Sequence, residues 1–337
     1  MFKKFFLSFL CLGLPLLAEV ENSILPQMEQ LEIRDLKGKI SQCQLQVLSS
    51  AMEHRRESLR IATFNMLFNL PFAEENLGME NRWDNRKARL LEYFAWANAD
   101  VVGSQELQKD QLEALMDYVG DRYDYYGLGV EDGKQKGDIP AIFYRKDRLI
   151  LLEGSTFYFS KTPNQVSISP FGKKNTFTVC LFQDLVSQRI FKVVNTHLAF
   201  GNIERRHYEA RILKNFLLQE SKKTPLIVTG DFNTFPFRQE LSLPFYDGEC
   251  VLSIIEAGGV KDSQQLALFG HFGPISSTNF NCETNQTFSA LGTPGVILDH
   301  IFVNKAVQVL SHGIDPAQVN GHWPSDHFPT FIEVLFQ

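Results

Sequence analysis

The chain has 337 residues, 44% hydrophobic and 21% charged, an ordinary globular composition that can build a large core as one domain or two. Its formal net charge is -6, so it has no overall basic field to gather polyanions, which argues against tight non-specific binding to duplex nucleic acid. A local basic patch is still compatible with that balance.

The chain opens MFKKFFLSFLCLGLPLLAEVENS, with Lys3 and Lys4 ahead of an apolar run from Phe5 to Ala18. The run falls short of the ~20 residues that span a bilayer, and Pro15 interrupts it. The expectation is a signal peptide over 1–18, cut after Ala18, with no transmembrane segment once it is removed and a secreted or periplasmic product. Its loss takes away two lysines and no acids, leaving a mature charge of about -8. Cys43, Cys180, Cys250 and Cys282 would remain. Export permits disulfides, and the three possible pairings stay open. Isolated spacing without Cys-x-x-Cys disfavours a zinc site.

Residues 19–58 read as a polar N-terminal extension, and 59–337 as one domain without repeats or a long linker. LRIATFNML predicts a strand ending at Asn65. RWDNRKARLLEYFAWANA predicts a helix with Leu90, Leu91, Phe94 and Ala95 on one face. VVGSQE predicts a buried strand ending at Glu106, followed by a helix facing inward through Leu112, Leu115, Met116 and Val119. AIFYR, LILLEG, TFTVCLFQDL and RIFKVVNTH read as strands whose short links favour antiparallel pairing, and His197 ends the last. A helix over 204–220 leads to PLIVTGDFNTFP, which carries Asp231 and Asn233. The segment 245–294 is rich in loops and resists assignment. LDHIFVN, AVQVLSHGI and HFPTFIEVLF predict three closing strands. Core packing accounts for most of the 29 phenylalanines; LSLPFYDG and ALFGHFGP are the candidates for a lipid-facing loop.

Taken alone, Gly-Asp-x-Asn after a strand is best read as an Asx turn. The same event recurs, however: a strand ends and a residue able to bind metal or move a proton stands there. It happens at Asn65, Glu106, His197, Asp231 with Asn233, and Ser325-Asp326-His327, while Asp299 and His300 begin a strand. If the ends share one edge, acids, carboxamides and histidines surround one cleft. That set is matched to phosphoester hydrolysis, which needs oxygen ligands for a hard cation, a group to activate water, and donors for the charge on phosphate.

The ordered motifs ATFNML, GSQEL, KGDIPAIFYRKDRL, NTHL, TGDFNTFP, LDHIFVN and PSDHFP resemble the endonuclease/exonuclease/phosphatase superfamily, in particular its secreted bacterial branch. The resemblance covers about residues 59–335. It implies an α+β fold, a four-layer αββα sandwich of two packed mixed, largely antiparallel sheets, and a metal-dependent phosphoesterase using Mg2+, with Mn2+ as the alternative ion. It assigns Glu106, Asn65 and Asp326 to the metal, and Asn65, Asn233 and Arg145 to the phosphate, with a surface ion pair the rival reading of Arg145. Asp299 would fix the tautomer of His327, and either His327 or Asp231 would serve as base. His197 would face the leaving group, partnered by Asp138 in place of a more usual glutamate. Two departures bear on specificity. Leu198-Ala199-Phe200 replaces the usual Asp-His after Asn-Thr-His, and SISPFGKKNTFTVCLF lacks the family's tryptophan and arginine. The substrate class is open, with no protein partner indicated. A secreted nuclease is the second reading, to which the acidic balance is unfavourable. A binding protein that has lost turnover is the third, and the intact acids and histidines argue against it.

Overall fold

A computed structural model describes residues 57–69, 81–235, 250–278 and 296–337. The signal segment, Cys43, Cys282, LSLPFYDG and nearly all of the extension lie outside these residues, as does the side chain of Cys250. Among the described cysteines Cys180 is a buried free thiol, and burial pushes its pKa well up, so it stays protonated throughout the ordinary pH range.

The strand β1 (Leu59–Asn65) is buried along almost its whole length. Both its faces are covered, which explains a run of apolar residues in place of alternation. It lies between β13 (Thr330–Phe336), antiparallel, and β2 (Val101–Gln105), parallel. The parallel step is made by helix α1 (Trp83–Ala97), which ends where Asn98 turns left-handed at φ 47°. Helix α2 (Lys109–Val119) follows β2, and a second unit of the parallel kind joins β7 (Ile190–His197) through helix α3 (Ile203–Glu220) to β8 (Leu226–Asp231).

The remaining strands are β3 (Tyr123–Tyr126), β4 (Ile142–Arg145), β5 (Leu149–Tyr158), β6 (Thr176–Asp184), β9 (Lys261–Asp262), β10 (His271–Phe272), β11 (Asp299–Val303) and β12 (Val307–Ile314). The first sheet runs β10-β12-β13-β1-β2-β4-β3 and the second β5-β6-β7-β8-β11-β9. All pairings are antiparallel except β1 with β2, β7 with β8, and β10 with β12. The short β3, with little alternation, was not expected from the sequence. In the unassigned segment the described part supplies helix α4 (Cys250–Glu256), β9, helix α5 (Ser263–Leu266) and β10. Within ALFGHFGP, Leu268 and Phe269 are exposed.

The two sheets pack face to face. Leu59, Ile61, Val101 and Ile142 of the first meet Phe182, Phe191, Val193, Ile227 and Ile301 of the second. The outer face of the second sheet packs Val194, Val228 and Phe302 on Ala210, Leu213 and Leu217 of α3 and Ile255 of α4. On the other side Phe94 of α1 meets Tyr123 and Phe143 edge-on at 5.3 and 5.2 Å. The result is the α+β sandwich, helix, sheet, sheet, helix, that the resemblance implied.

Beneath one edge the intersheet layer turns polar. Gln105 Nε2 donates to Asn195 Oδ1 at 2.7 Å and Thr63 Oγ1 at 3.0 Å, and Asn195 Nδ2 donates to Ser104 O at 2.8 Å. Every member is fully buried, so each depends on these partners. Gly103 is required here, since a Cβ on it would lie 2.1 Å from Thr229 Oγ1 and 2.5 Å from Asn195 Oδ1.

Candidate active site

Register brings the functional side chains to the edge above that polar layer. Asn65 pairs with Gln105, His197 with Asp231, and Asp231 with Asp299. The C-terminal ends of β1, β2, β7 and β8 and the first residue of β11 therefore meet. At the cleft itself Asn65 links the two sheets, its Nδ2 donating at 3.0 Å to both Glu106 Oε1 and Asp231 Oδ2. Its Oδ1 accepts from the amide of Leu67. Asn65 thus presents its nitrogen to the acids and acts as a donor in this arrangement.

Glu106 follows β2 in a left-handed conformation, φ 58°, and its Oε2 also accepts from the Phe68 amide at 3.1 Å. Burial raises its pKa, and the neighbouring charge of Asp326 raises it further, against the opposing effect of His197 and the Asn65 hydrogen bond. Asp231 is held at both oxygens, by Asn65 and by the amide of Asn233 at 2.8 Å. Asn233 adopts φ 50°, a conformation asparagine tolerates. The expected turn is present, and it serves to aim Asp231.

His197 Nδ1 lies 3.4 Å from Asp138 Oδ2, while Nε2 lies 3.0 Å from Asn233 Nδ2 and 3.6 Å from Asp231 Oδ2. Burial opposes the charged ring, but the Asp138 hydrogen bond and the charges of Asp231, Asp138 and Glu106 outweigh it and hold the pKa at about 9. Asn233 Nδ2 also donates to Leu198 O. A charged ring would set two donors against each other at Nε2, so protonation needs the Asn233 carboxamide to turn its oxygen toward the ring or the proton to aim at Asp231.

Asp299 and His327 are a tight buried pair, Oδ2 to Nδ1 at 2.7 Å, with His327 Nε2 facing Asp231 Oδ2 at 3.9 Å. Burial works against the imidazolium, yet Asp299 and Asp231 raise the His327 pKa well above its ordinary value. Two placements differ from expectation. Ser325-Asp326-His327 does not close a strand but lies in the loop before β13, tied back by Ser325 Oγ donating to Asn65 O at 2.7 Å. Arg145 is not in the cleft. Because β4 runs antiparallel to β2, it sits beside Asp100, at the opposite end of β2 from Glu106, and pairs with Asp147. The surface-ion-pair reading of Arg145 holds.

The chemistry of the donors fits a divalent cation at Glu106 and Asp326, two nearby carboxylates whose mutual repulsion a cation would relieve. Among the described residues, Asp231, Asp299 and His327 also bring ligand atoms within 4.8 Å of one another. Asp299 and His327 are already committed to each other, which favours a proton-handling role for that group. An open groove of about 1030 Å³ is lined by Gln108, two residues after Glu106, and by Gly137, one before Asp138, but by none of the site residues themselves. Tyr125, Lys134 and Lys136 are among its walls.

Several supporting residues were not anticipated. Asn195 lies inside the NTH motif, and its inward position in β7 was the available signal. Asn175 Nδ2 donates to His197 O at 2.7 Å and to Glu209 Oε2, and Glu209 in turn accepts from Ala199 N, fixing the segment with the altered Leu198-Ala199-Phe200 sequence. Phe200 itself is 63% exposed, leaving an apolar side chain beside the cleft's own loop.

The chain belongs to the Endonuclease/Exonuclease/phosphatase family, whose sequence profile it matches over residues 62–327. A protein of that family from Bacteroides vulgatus has a similar structure, with 26% identity and a TM-score of 0.68 over 83% of this chain and 99% of that one. A Bacteroides thetaiotaomicron mannosyl-6-phosphatase is similar at 25% identity and a TM-score of 0.69, covering 82% of this chain and 100% of the other. Among curated proteins the chain is similar to the CCR4-Not complex 3'-5'-exoribonuclease subunit Ccr4 of Saccharomyces cerevisiae, 24% identical over 75% of this chain and 35% of that one. The chain thus spans about a third of the length of that relative. The family hydrolyses phosphoester bonds and depends on divalent metal.

Proposed function

We propose that this protein is an exported phosphoesterase, dependent on Mg2+ with Mn2+ as the alternative, that cleaves a small phosphomonoester or phosphodiester by attack of an activated water. The observation that carries the reading is Asn65, which joins Glu106 to Asp231 across the two sheets and so makes one site of separate strand ends. Glu106 and Asp326 would hold the cation, which when bound supplies positive charge to the phosphate.

Asp231 is the group placed to take a proton from the attacking water, because two donors orient it and it carries no proton-sharing partner as close as that of Asp299. His327, held charged by Asp299, serves as a donor to the phosphate oxygens rather than as the base. Charged His197 releases a proton from Nε2 to the leaving oxygen as Asn233 turns, and Asp138 keeps the ring oriented.

A small substrate, with sugar phosphates among the candidates, is supported by the negative net charge and by the likeness to a mannosyl-6-phosphatase. The similarity to Ccr4 exoribonucleases supports RNA as the second reading. Purified protein is to be assayed on an aryl phosphate, an aryl phosphodiester, sugar phosphates and RNA, each with Mg2+ and with EDTA. Turnover of the small esters that EDTA stops supports the first reading. Preferential degradation of RNA transfers the assignment to the second, and activity untouched by EDTA contradicts both. Export is tested separately, by sequencing the N-terminus of the protein recovered outside the cytoplasm. An intact leader there would refute cleavage after Ala18.

A further inference from the structure

Arg86 is fully buried on α1, on the same stripe as Trp83, Leu90 and Phe94. Such a cation ordinarily has a carboxylate partner. Its hydrogen bonds to described residues instead all end on main-chain carbonyls. Nε donates to Asn81 O at 3.0 Å, Nη1 to Met66 O at 2.7 Å and to Pro324 O at 3.4 Å, and Nη2 to Leu67 O and, at 3.5 Å, to Phe68 O. The guanidinium lies over the ring of Trp83, 5.1 Å from its centre.

The two main segments it binds lead directly into opposite sides of the cleft. Residues 66–68 continue from Asn65, and the Phe68 amide donates to Glu106. Their three carbonyls converge because Leu67 is left-handed, at φ 59°, a conformation unfavourable to leucine that needs fixed partners. Gln111 Nε2 supplies another, donating to Leu67 O at 2.8 Å. Pro324 immediately precedes Ser325, Asp326 and His327, and Ser325 binds Asn65 O. A planar fork of donors can hold these carbonyls together, whereas an ammonium offers fewer donors without a fixed plane.

We propose that Arg86 is a positioning residue of the phosphoesterase site, setting the spacing between its Asn65–Glu106 side and its Asp326–His327 side through the main chain. The proposal rests on the phosphoesterase reading. Its buried charge also stands near Glu106 and Asp326, easing the approach of two carboxylates before a cation arrives.

The test uses Arg86→Lys, which keeps the charge, and Arg86→Met, which removes it. Melting temperature, kcat and KM for an aryl phosphoester, and the Mg2+ concentration for half-maximal activity are measured for each. The expected result is a kcat lower by about tenfold or more in folded Arg86→Lys, with KM changed less than about threefold and the Mg2+ midpoint raised. Arg86→Met should lose more. A purely structural role would lower the melting temperature of both variants while leaving kcat per folded molecule and the Mg2+ midpoint unchanged, and that overturns the proposal.

If neither variant folds, the wild-type protein decides. With arginine isotopically labelled, the Arg86 Nε–H resonance should shift as Mg2+ is added. A resonance that stays fixed while the Phe68 amide moves contradicts the coupling. Failure of the wild type to hydrolyse any phosphoester with Mg2+ or Mn2+ would refute the underlying reading, leaving the resonance measurement to judge the positioning role.

Discussion

Asp231 is restrained at one oxygen by a side chain from the other sheet and at the second by an amide two residues away, so it cannot swing from the cleft without losing both donors. Asp231→Asn replaces an acceptor by a group that places a donor against Asn65 or Asn233. Hydrolysis should fall by about a thousandfold or more, with little change in melting temperature. Retention of turnover above about a tenth would exclude Asp231 as base. His197 gives a separate, pH-dependent test. Its folded pKa is raised to about 9, so the acid form is present at neutral pH and lost as pH rises through that value. Activity should decline above pH ~9, and His197→Asn should remove that limb and slow esters with poor leaving groups more than activated aryl esters. An unaltered alkaline limb in the variant would assign it to another group.

Two elements carry consequences for stability. β2 approaches β7 and β8 so closely at Gly103 that Gly103→Ala inserts a Cβ into Thr229 and Asn195. Overpacking of a buried polar layer should cost about 2–3 kcal/mol, measured by urea unfolding. A loss below about 0.5 kcal/mol would mean that the sheets separate easily there. At the other end of the first sheet, His271 Nε2 donates to Pro274 O, so its Nδ1 accepts from His312 Nδ1 at 2.8 Å. Burial, with Asp262 opposing and the charges of His271 and His300 reinforcing, lowers the His312 pKa to about 4. The unfolded chain binds a proton near pH 6.5 that the folded chain refuses until about pH 4. This pair therefore contributes stability above pH 6.5 that is lost as pH falls, up to about 3 kcal/mol. His312→Asn should be less stable at neutral pH but flatter in stability between pH 6.5 and 4, by chemical unfolding. A slope equal to that of the native protein contradicts the assignment.

At the scale of the molecule, strands whose apolar runs terminate in polar residues were legible because the chain itself records that pattern. Asn65, Glu106, His197, Asp231 and Asn233 could be placed at strand ends without coordinates. Which ends meet depends on parallel register across two crossovers, and sequence periodicity does not encode register between strands. Arg145 shows the limit, since it also ends a strand, but β4 is antiparallel to β2 and delivers it to the far end. Arg86 shows another, because a charge on the apolar stripe of α1 was readable while the three segments it binds were not. A cation held between Glu106 and Asp326 binds only the folded chain. Saturating Mg2+ should therefore raise stability by about 2–3 kcal/mol at a hundred times its dissociation constant. The gain should vanish in Glu106→Gln.

Metal-dependent phosphoester hydrolysis by the cleft that Asn65 joins is the property on which every role proposed above depends. The decisive measurement is turnover of an aryl phosphoester by the purified chain across a Mg2+ titration, run in parallel for wild type and Glu106→Gln. The expected result is saturable turnover abolished by EDTA and restored by added Mg2+ or Mn2+, with the variant reduced by about a hundredfold or more. Equal rates in the two proteins, or wild-type turnover indifferent to EDTA, would contradict it.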